Sequence, residues 1–204
     1  MPLAIIDYGV GNLRSVEKAF AAVGVKAVVT GDEAVLRNAP GLVLPGVGAF
    51  GECMRRLTEH GFDQLVKRRV AEGIPLLGVC VGMQMLFEES EEFGVTQGLG
   101  LLGGRVRRFS GDLAVPQVGW NQVHRVRLHP LLVGIEDGSF FYFVHSYYCQ
   151  ASDPLVVIGE TEYGRVYPSV VTSGKVHGVQ CHPEKSQTAG LRLLQNFGRM
   201  AEVN

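Results

Sequence analysis

Pro75-Leu76-Leu77-Gly78-Val79-Cys80-Val81-Gly82-Met83-Gln84 is the stretch on which the reading of this chain turns. An apolar run reaches Gly-x-Cys-x-Gly and passes straight into helix-forming residues. The run predicts a buried strand over residues 75–79, and a helix is expected to start near Val81. Joined this way they make a nucleophile elbow with cysteine in the place of serine. Glycines flank the nucleophile because side chains in so tight a strand-to-helix turn would collide with neighbouring strands. Cys80 would stand at a helix N-terminus, where the dipole and free N–H groups favour a thiolate. The Val81 amide would then be one oxyanion donor. The competing reading is a buried structural cysteine at a strand end.

Working outward, residues 3–6 are a short apolar run, followed by the turn Gly9-Val10-Gly11 and by Asn12, a good helix cap. Leu13, Val16, Phe20 and Val23 then share one helical face, and Gly24 ends the helix. Strands are expected over 26–30 and 42–44. A helical stretch over 50–70 has Phe50, Met54 and Leu57 in register and a break at Gly61. This alternation predicts an α/β fold, a mostly parallel central sheet flanked by helices on both faces, with sites at the carboxyl ends of its strands. The second half is richer in strands, expected at 104–109, 118–126, 140–144, 155–160 and 175–180. A last helix carries Leu193, Phe197 and Met200 on one face. No linker, repeat or low-complexity stretch divides the chain, so one domain over 1–204 is expected.

Composition narrows the function. Nineteen basic residues balance twenty acidic ones, which gives no electrostatic reason to expect nucleic acid or a membrane surface. The run Lys67-Arg68-Arg69 reads as a solvated helix face. Nothing at the N-terminus suggests export, and no apolar run approaches the roughly 18 residues of a membrane helix. The four cysteines (Cys53, Cys80, Cys149, Cys181) are scattered, with no C-x-x-C pair and no metal-ligand spacing. A reducing cytoplasm is expected, where a cysteine matters for reactivity rather than cross-linking.

A thiolate nucleophile needs a base and a group to orient it. Among six histidines, His60 and His124 read as surface, His129 precedes Pro130 in a turn, and His177 lies inside a strand pattern. His145 ends an aromatic strand and is either a core or a site-lining residue. His182 ends the run 176–181 and is followed by Pro183 and Glu184. In an extended segment residues two apart face one side, so His182 and Glu184 can meet, completing a Cys80–His182–Glu184 set. The same alternation turns Cys181 away from that imidazole. Neither Cys53 nor Cys149 has a glycine turn near it.

Pro45-Gly46-Val47-Gly48-Ala49-Phe50-Gly51 matches G-x-G-x-x-G after a strand. A dinucleotide site would want it in the opening βαβ unit with an acidic residue ending the next strand; here it follows the third strand, and the next one ends at Cys80. An open turn beside the elbow fits better, with amides near Val47 and Gly48 as the second oxyanion donor.

At this point the chain resembles the class I (triad) glutamine amidotransferases, through Gly78 to Gln84 and Gln180-Cys181-His182-Pro183-Glu184. Within them it is similar to the glutaminase subunits of imidazole glycerol phosphate synthase. The stretches that carry this are Asp7-Tyr8-Gly9-Val10-Gly11-Asn12-Leu13, Pro45 to Phe50, Gly119-Trp120-Asn121, Phe143-Val144-His145-Ser146-Tyr147 and Pro183-Glu184-Lys185-Ser186-Gln187. Two positions depart: Cys181 stands where Phe is expected, and Gln117 where His is frequent. Neither has a triad role.

The resemblance implies a single-domain amidotransferase fold in which Cys80 attacks the side-chain amide carbon of L-glutamine. The oxyanion would rest on the amides of Val81 and Val47, and a thioester would be hydrolysed to glutamate. It implies substrate contacts from Gly48, Gln84, Glu92 (for the ammonium), Ser146 and Tyr147 (for the carboxylate). No cofactor or metal is implied. Ammonia would pass to a cyclase subunit, HisF, a (β/α)8 barrel, in a heterodimer. That partner makes imidazole glycerol phosphate and aminoimidazole carboxamide ribotide in histidine biosynthesis. Asn12, Arg14, Trp120, Tyr142 and Lys185 are expected at the partner interface or the ammonia passage. The alternatives are an amidotransferase of another pathway, such as the pyridoxal phosphate synthase glutaminase, and a non-catalytic module on the same fold.

Overall fold

The apolar runs of the first half form strands without polar alternation because both faces of the sheet are covered. A computed structural model of the chain describes residues 1–111 and 113–202. Residues 112, 203 and 204 of the expected 1–204 domain lie outside them. The first half runs β1 (Leu3–Ile6), α1 (Leu13–Ala22), β2 (Ala27–Thr30), α2 (Glu33–Asn38), β3 (Leu42–Gly46), α3 (Phe50–Glu59), α4 (Phe62–Ala71), β4 (Leu76–Cys80) and α5 (Val81–Met85). The second half runs β5 (Phe87–Ser90), β6 (Thr96–Gln97), β7 (Leu102–Arg108), β8 (Gln117–Arg125), β9 (Ser139–His145), β10 (Tyr147–Ala151), β11 (Val157–Glu162), β12 (Val166–Ser173), β13 (Val176–Val179) and α6 (Gln187–Met200).

A nine-stranded mixed sheet has the order β2-β1-β3-β4-β13-β12-β11-β8-β9, and a four-stranded sheet the order β10-β7-β5-β6. From β2 to β13 the neighbours are parallel; from β13 to β9 they are antiparallel. β4 lies between β3 and β13, with Cys80 beside Gly46 and Val79 beside Val179. The three segments that carry the expected site therefore leave the sheet side by side, at its carboxyl end.

The helix break falls at Gly61, whose φ of 69° is open to glycine at little cost. α1 buries Val16, Ala19 and Phe20. Asn12 occupies the cap position, yet its side chain makes no capping hydrogen bond. That expectation fails because the Gly9-to-Asn12 turn holds Asn12 at ψ 56°, outside the extended range from which a cap reaches back. Five elements have no counterpart in the sequence reading. α2 is short, with Leu36 alone buried. β5 hides in an acidic run, β6 has two residues, β10 follows β9 after one residue, and β12 is disguised by Pro168.

Two buried histidines make stability depend on pH. Burial lowers His145 and His177 from the ordinary 6.5 to about 4. The unfolded chain therefore binds protons more readily, and stability present above pH 6.5 is lost as pH falls towards 4. At pH 5 the two together cost about 4 kcal/mol, at 1.36 kcal/mol per pK unit. Chemical denaturation at pH 7.5 and 5.0 checks this; equal midpoints would refute it.

Candidate active site

The elbow is built from close contacts that only glycines permit. Cys80 joins β4 to α5 at φ 56° and ψ −116°, a strained conformation for a side-chain-bearing residue. A Cβ on Gly82 would lie 1.9 Å from the Leu44 carbonyl oxygen, and one on Gly78 would lie 2.6 Å from the Gly82 oxygen. A Cβ on Gly46 would meet the Gly82 nitrogen at 2.7 Å. The start of α5 is thus wedged against β3 and β4, and Cys80 sits at its N-cap with the Val81 amide as the first helical N–H.

His182 and Glu184 meet, although not by strand alternation. The strand β13 ends at Val179, and Pro183–Lys185 forms a 3-10 turn. That turn brings Glu184 back under the ring, so that His182 Nδ1–H donates to Glu184 Oε1 at 2.9 Å. Both side chains are buried. A loop of bonds fastens the turn to β9: His182 N–H donates to Tyr142 O at 2.9 Å, Tyr142 N–H to Ser186 Oγ at 3.0 Å, and the Ser186 hydroxyl to His182 O at 2.6 Å. Burial alone would lower His182, but Cys80 and Glu184 outweigh it and raise its pKa to about 10. The Nε2 of His182 has no hydrogen-bond partner among the described residues. Cys181 is fully buried, and burial holds its thiol well above the usual range.

A cavity of about 360 Å³ gathers Asn12, Val47, Gly48, Cys80, Val81, Gln84, Glu92, Ser146, Tyr147, His182 and Lys185. Two of these are already engaged in ways the sequence does not announce. Gln84 Nε2 donates to Tyr147 O at 3.0 Å and to Gln180 Oε1 at 3.1 Å. Both amide protons are used, and its carbonyl oxygen is what it can offer a ligand. Glu92 Oε2 accepts the Phe50 N–H at 2.6 Å, holding the first turn of α3, where the helix dipole favours a carboxylate.

Sequence reasoning overlooks Gln180. This fully buried side chain takes its orientation from Gln84, and its Nε2 points at Cys80 Sγ, 3.9 Å away. Its signal was a polar residue inside an apolar strand run. His145 lines the cavity, with Nδ1–H donating to Tyr147 O at 2.8 Å and Nε2 lying 3.2 Å from the Tyr167 hydroxyl. That hydroxyl also meets Gln117 at 3.0 Å, which gives the second unusual residue a place in the same network.

The remaining residues divide. Trp120 and Tyr142 stack edge to face at 6.0 Å, and Lys185 Nζ lies 5.7 Å from the Tyr142 ring centroid. Trp120 is 46% exposed beside exposed Val118 and Phe140, and with Ser186 and Gln187 it lines a separate cavity of about 510 Å³. Arg14 lies outside both cavities; its exposed side chain pairs with Glu17 at 3.1 Å. Among the described residues no helix is long and apolar enough to cross a membrane.

A cysteine on a strand-to-helix elbow, opening into one cavity with a carboxylate-tethered imidazole, is the arrangement of thiol-dependent acyl transfer on an α/β sheet. The family model described as glutamine amidotransferase class-I matches residues 4–201. Imidazole glycerol phosphate synthase subunit HisH of Syntrophotalea carbinolica is 51% identical, covering 97% of this chain and all of that relative. The same subunit of Symbiobacterium thermophilum is 50% identical over 97% of this chain and 93% of its own length. That of Geobacter sulfurreducens is 47% identical over 97% and 98%. The fold is shared with a crystal structure of a glutamine amidotransferase (TM-score 0.77, 24% identity, 98% and 99% covered). It is shared also with a chain of PurLQS from Thermotoga maritima (TM-score 0.76, 19% identity, 98% of each). The chain belongs to the class-I glutamine amidotransferase family, and within it to the HisH subunits of imidazole glycerol phosphate synthase.

Proposed function

We propose that this chain is the glutaminase subunit of imidazole glycerol phosphate synthase, hydrolysing L-glutamine to glutamate and ammonia for histidine biosynthesis. The observation that carries the reading is that Cys80 and His182 line one cavity, with Glu184 holding His182 Nδ1 and Cys80 at the start of α5. The Cys80 thiolate attacks the side-chain amide carbon, and the carbon–oxygen π electrons move onto oxygen. The oxyanion rests on the Val81 N–H and on the turn at Val47 and Gly48. The tetrahedral intermediate collapses as the carbon–nitrogen bond breaks, and the proton on His182 Nε2 goes to the leaving nitrogen, releasing ammonia. A γ-glutamyl thioester remains. His182, now neutral and steadied by Glu184, takes a proton from water, whose oxygen attacks the thioester. Collapse returns glutamate and the thiolate.

The free oxygen of Glu92 would take the substrate ammonium, and N–H groups at Ser146 and Tyr147 its carboxylate. Gln84 would contribute its carbonyl oxygen. The partner is the HisF cyclase in a heterodimer, in the cytoplasm, and the whole chain 1–204 acts as one domain. Ammonia freed into water at neutral pH would be protonated and lose its nucleophilicity, which is the chemical reason for a partner. Asn12 and Lys185 are suited to the passage and Trp120 and Tyr142 to the partner's rim. Arg14, exposed on α1, fits the outer interface. Glutamate release from glutamine, measured alone and with the cyclase, tests the proposal. Turnover with the cyclase is expected; no turnover under either condition would sink it.

A further inference from the structure

Gln180 has no part in the chemistry above, yet it is fully buried beside the nucleophile. The parallel ladder sets Val179 against Val79, so one step further along Gln180 stands opposite Cys80. Its backbone is fixed there by its N–H, which donates to Ser169 O at 2.9 Å. A buried amide costs free energy unless its hydrogen bonds are made. An apolar side chain would fill the same space without that cost.

The direction of the amide is determined from the backbone outward. Tyr147 O accepts from Gln84 Nε2 at 3.0 Å, and a carbonyl can only accept, so the nitrogen of Gln84 must face it. The second proton of that nitrogen goes to Gln180 Oε1 at 3.1 Å. Gln180 Nε2 is thereby turned to Cys80 Sγ, 3.9 Å away. Reversing Gln180 would set two N–H groups against each other and an amide oxygen against the sulfur. The sulfur also meets Val144 O at 4.0 Å, an acceptor that suits a thiol and opposes a thiolate.

We infer that Gln180 is a catalytic residue whose side-chain N–H supports the negative charge of the Cys80 sulfur, and that Gln84 is the positioning residue that aims it. This rests on the glutaminase reading and deepens it. A donor to the sulfur raises the fraction of thiolate and weakens each thiolate by less. With a Brønsted slope of about 0.4–0.5, a tenfold gain in thiolate costs about threefold in reactivity. The donor therefore speeds attack below the midpoint of the thiol and slows it above.

The test is the pH profile of Cys80 alkylation by iodoacetamide in the complex with the cyclase subunit, read by mapping the labelled peptide. Tyr8, Cys53, Cys149 and Cys181 also feel the charge of Cys80, but burial keeps each of them protonated through the neutral range. His145, lowered to about 4 by burial, stays neutral there. Glu92, on the same cavity, and Glu184, behind His182, are unaltered in every variant. The midpoint therefore belongs to the Cys80–His182 pair. In Gln180→Met it is expected to rise by about 1, the lower end for losing a hydrogen bond to a charged group. Alkylation should be about threefold slower well below both midpoints and about threefold faster above them, so the profiles cross. Gln84→Met should shift the midpoint in the same direction. The double variant should go no further than Gln180→Met alone, because both act through one N–H. Cyclase turnover supported by added ammonium should be unchanged throughout, showing intact complexes. If Gln180→Met does not fold, Gln180→Asn, whose amide stops one methylene short of the sulfur, takes its place with the same outcomes. A midpoint within about 0.3 of the parent, profiles that do not cross, or shifts that add in the double variant overturn the proposal. A parent complex that releases no glutamate from glutamine overturns the glutaminase reading instead, since alkylation is read without glutamine.

Discussion

Cys80→Ala, assayed in complex with the cyclase, is expected to lose glutamine-dependent product formation by at least about 10⁴-fold while ammonium-dependent formation stays within about twofold. The split follows from the division of labour. The sulfur is needed to make ammonia, and supplied ammonia bypasses it. A methyl in place of a thiol is a small loss of volume at the tip of the elbow, so α5 should keep its seat. Three comparisons sharpen the reading. Loss of both activities would make Cys80 structural. Survival of the glutamine reaction would mean another nucleophile, and mapping the label of a glutamine-directed electrophile would find it. Cys181 is the natural suspect, but it is fully buried and its thiol is held protonated.

The same residues show what a sequence can and cannot reveal. The elbow is legible because its requirement is local: a strand, a sharp turn and glycines where Cβ atoms would strike neighbouring backbone. The parallel half of the sheet is legible because strands covered on both faces must be apolar throughout. His182 and Glu184 are legible as partners, but alternation predicts their meeting through an extended segment, whereas the chain uses a 3-10 turn locked to Tyr142. The roles of Gln84 and Gln180 are not legible. Both depend on hydrogen bonds between segments that only the tertiary fold brings together. Gln84 and Gln180 are 96 residues apart, and Gln180 and Cys80 are 100 apart. Such bonds leave no periodic trace. The antiparallel half is intermediate: β8 and β9 read clearly, while Pro168 and the acid-rich β5 mask strands whose pairing is set by neighbours rather than by composition.

Gly82→Ala is expected to be the most damaging single methyl in the molecule. Its Cβ would stand 1.9 Å from the Leu44 carbonyl oxygen and 2.9 Å from the carbonyl carbon, both in the backbone of β3, where no side chain can swing aside. Either β3 or α5 must move. β3 is hydrogen-bonded on both sides, so the helix is the element that yields. The expected loss of stability is about 3 kcal/mol or more, the upper range for overpacking. The Val81 amide would move with the helix, and a displacement of about 1 Å there lowers glutamine turnover by about 10²-fold in what still folds. Gly48→Ala is the proper comparison. Nothing lies within 4 Å of its Cβ position, so the substitution carries only the strain of φ 86°, about 1 kcal/mol. Chemical denaturation of the two variants should rank Gly82 far above Gly48. Equal losses would mean that the glycines of the elbow serve backbone conformation alone, and that the close contact of α5 with β3 does not constrain where the nucleophile stands.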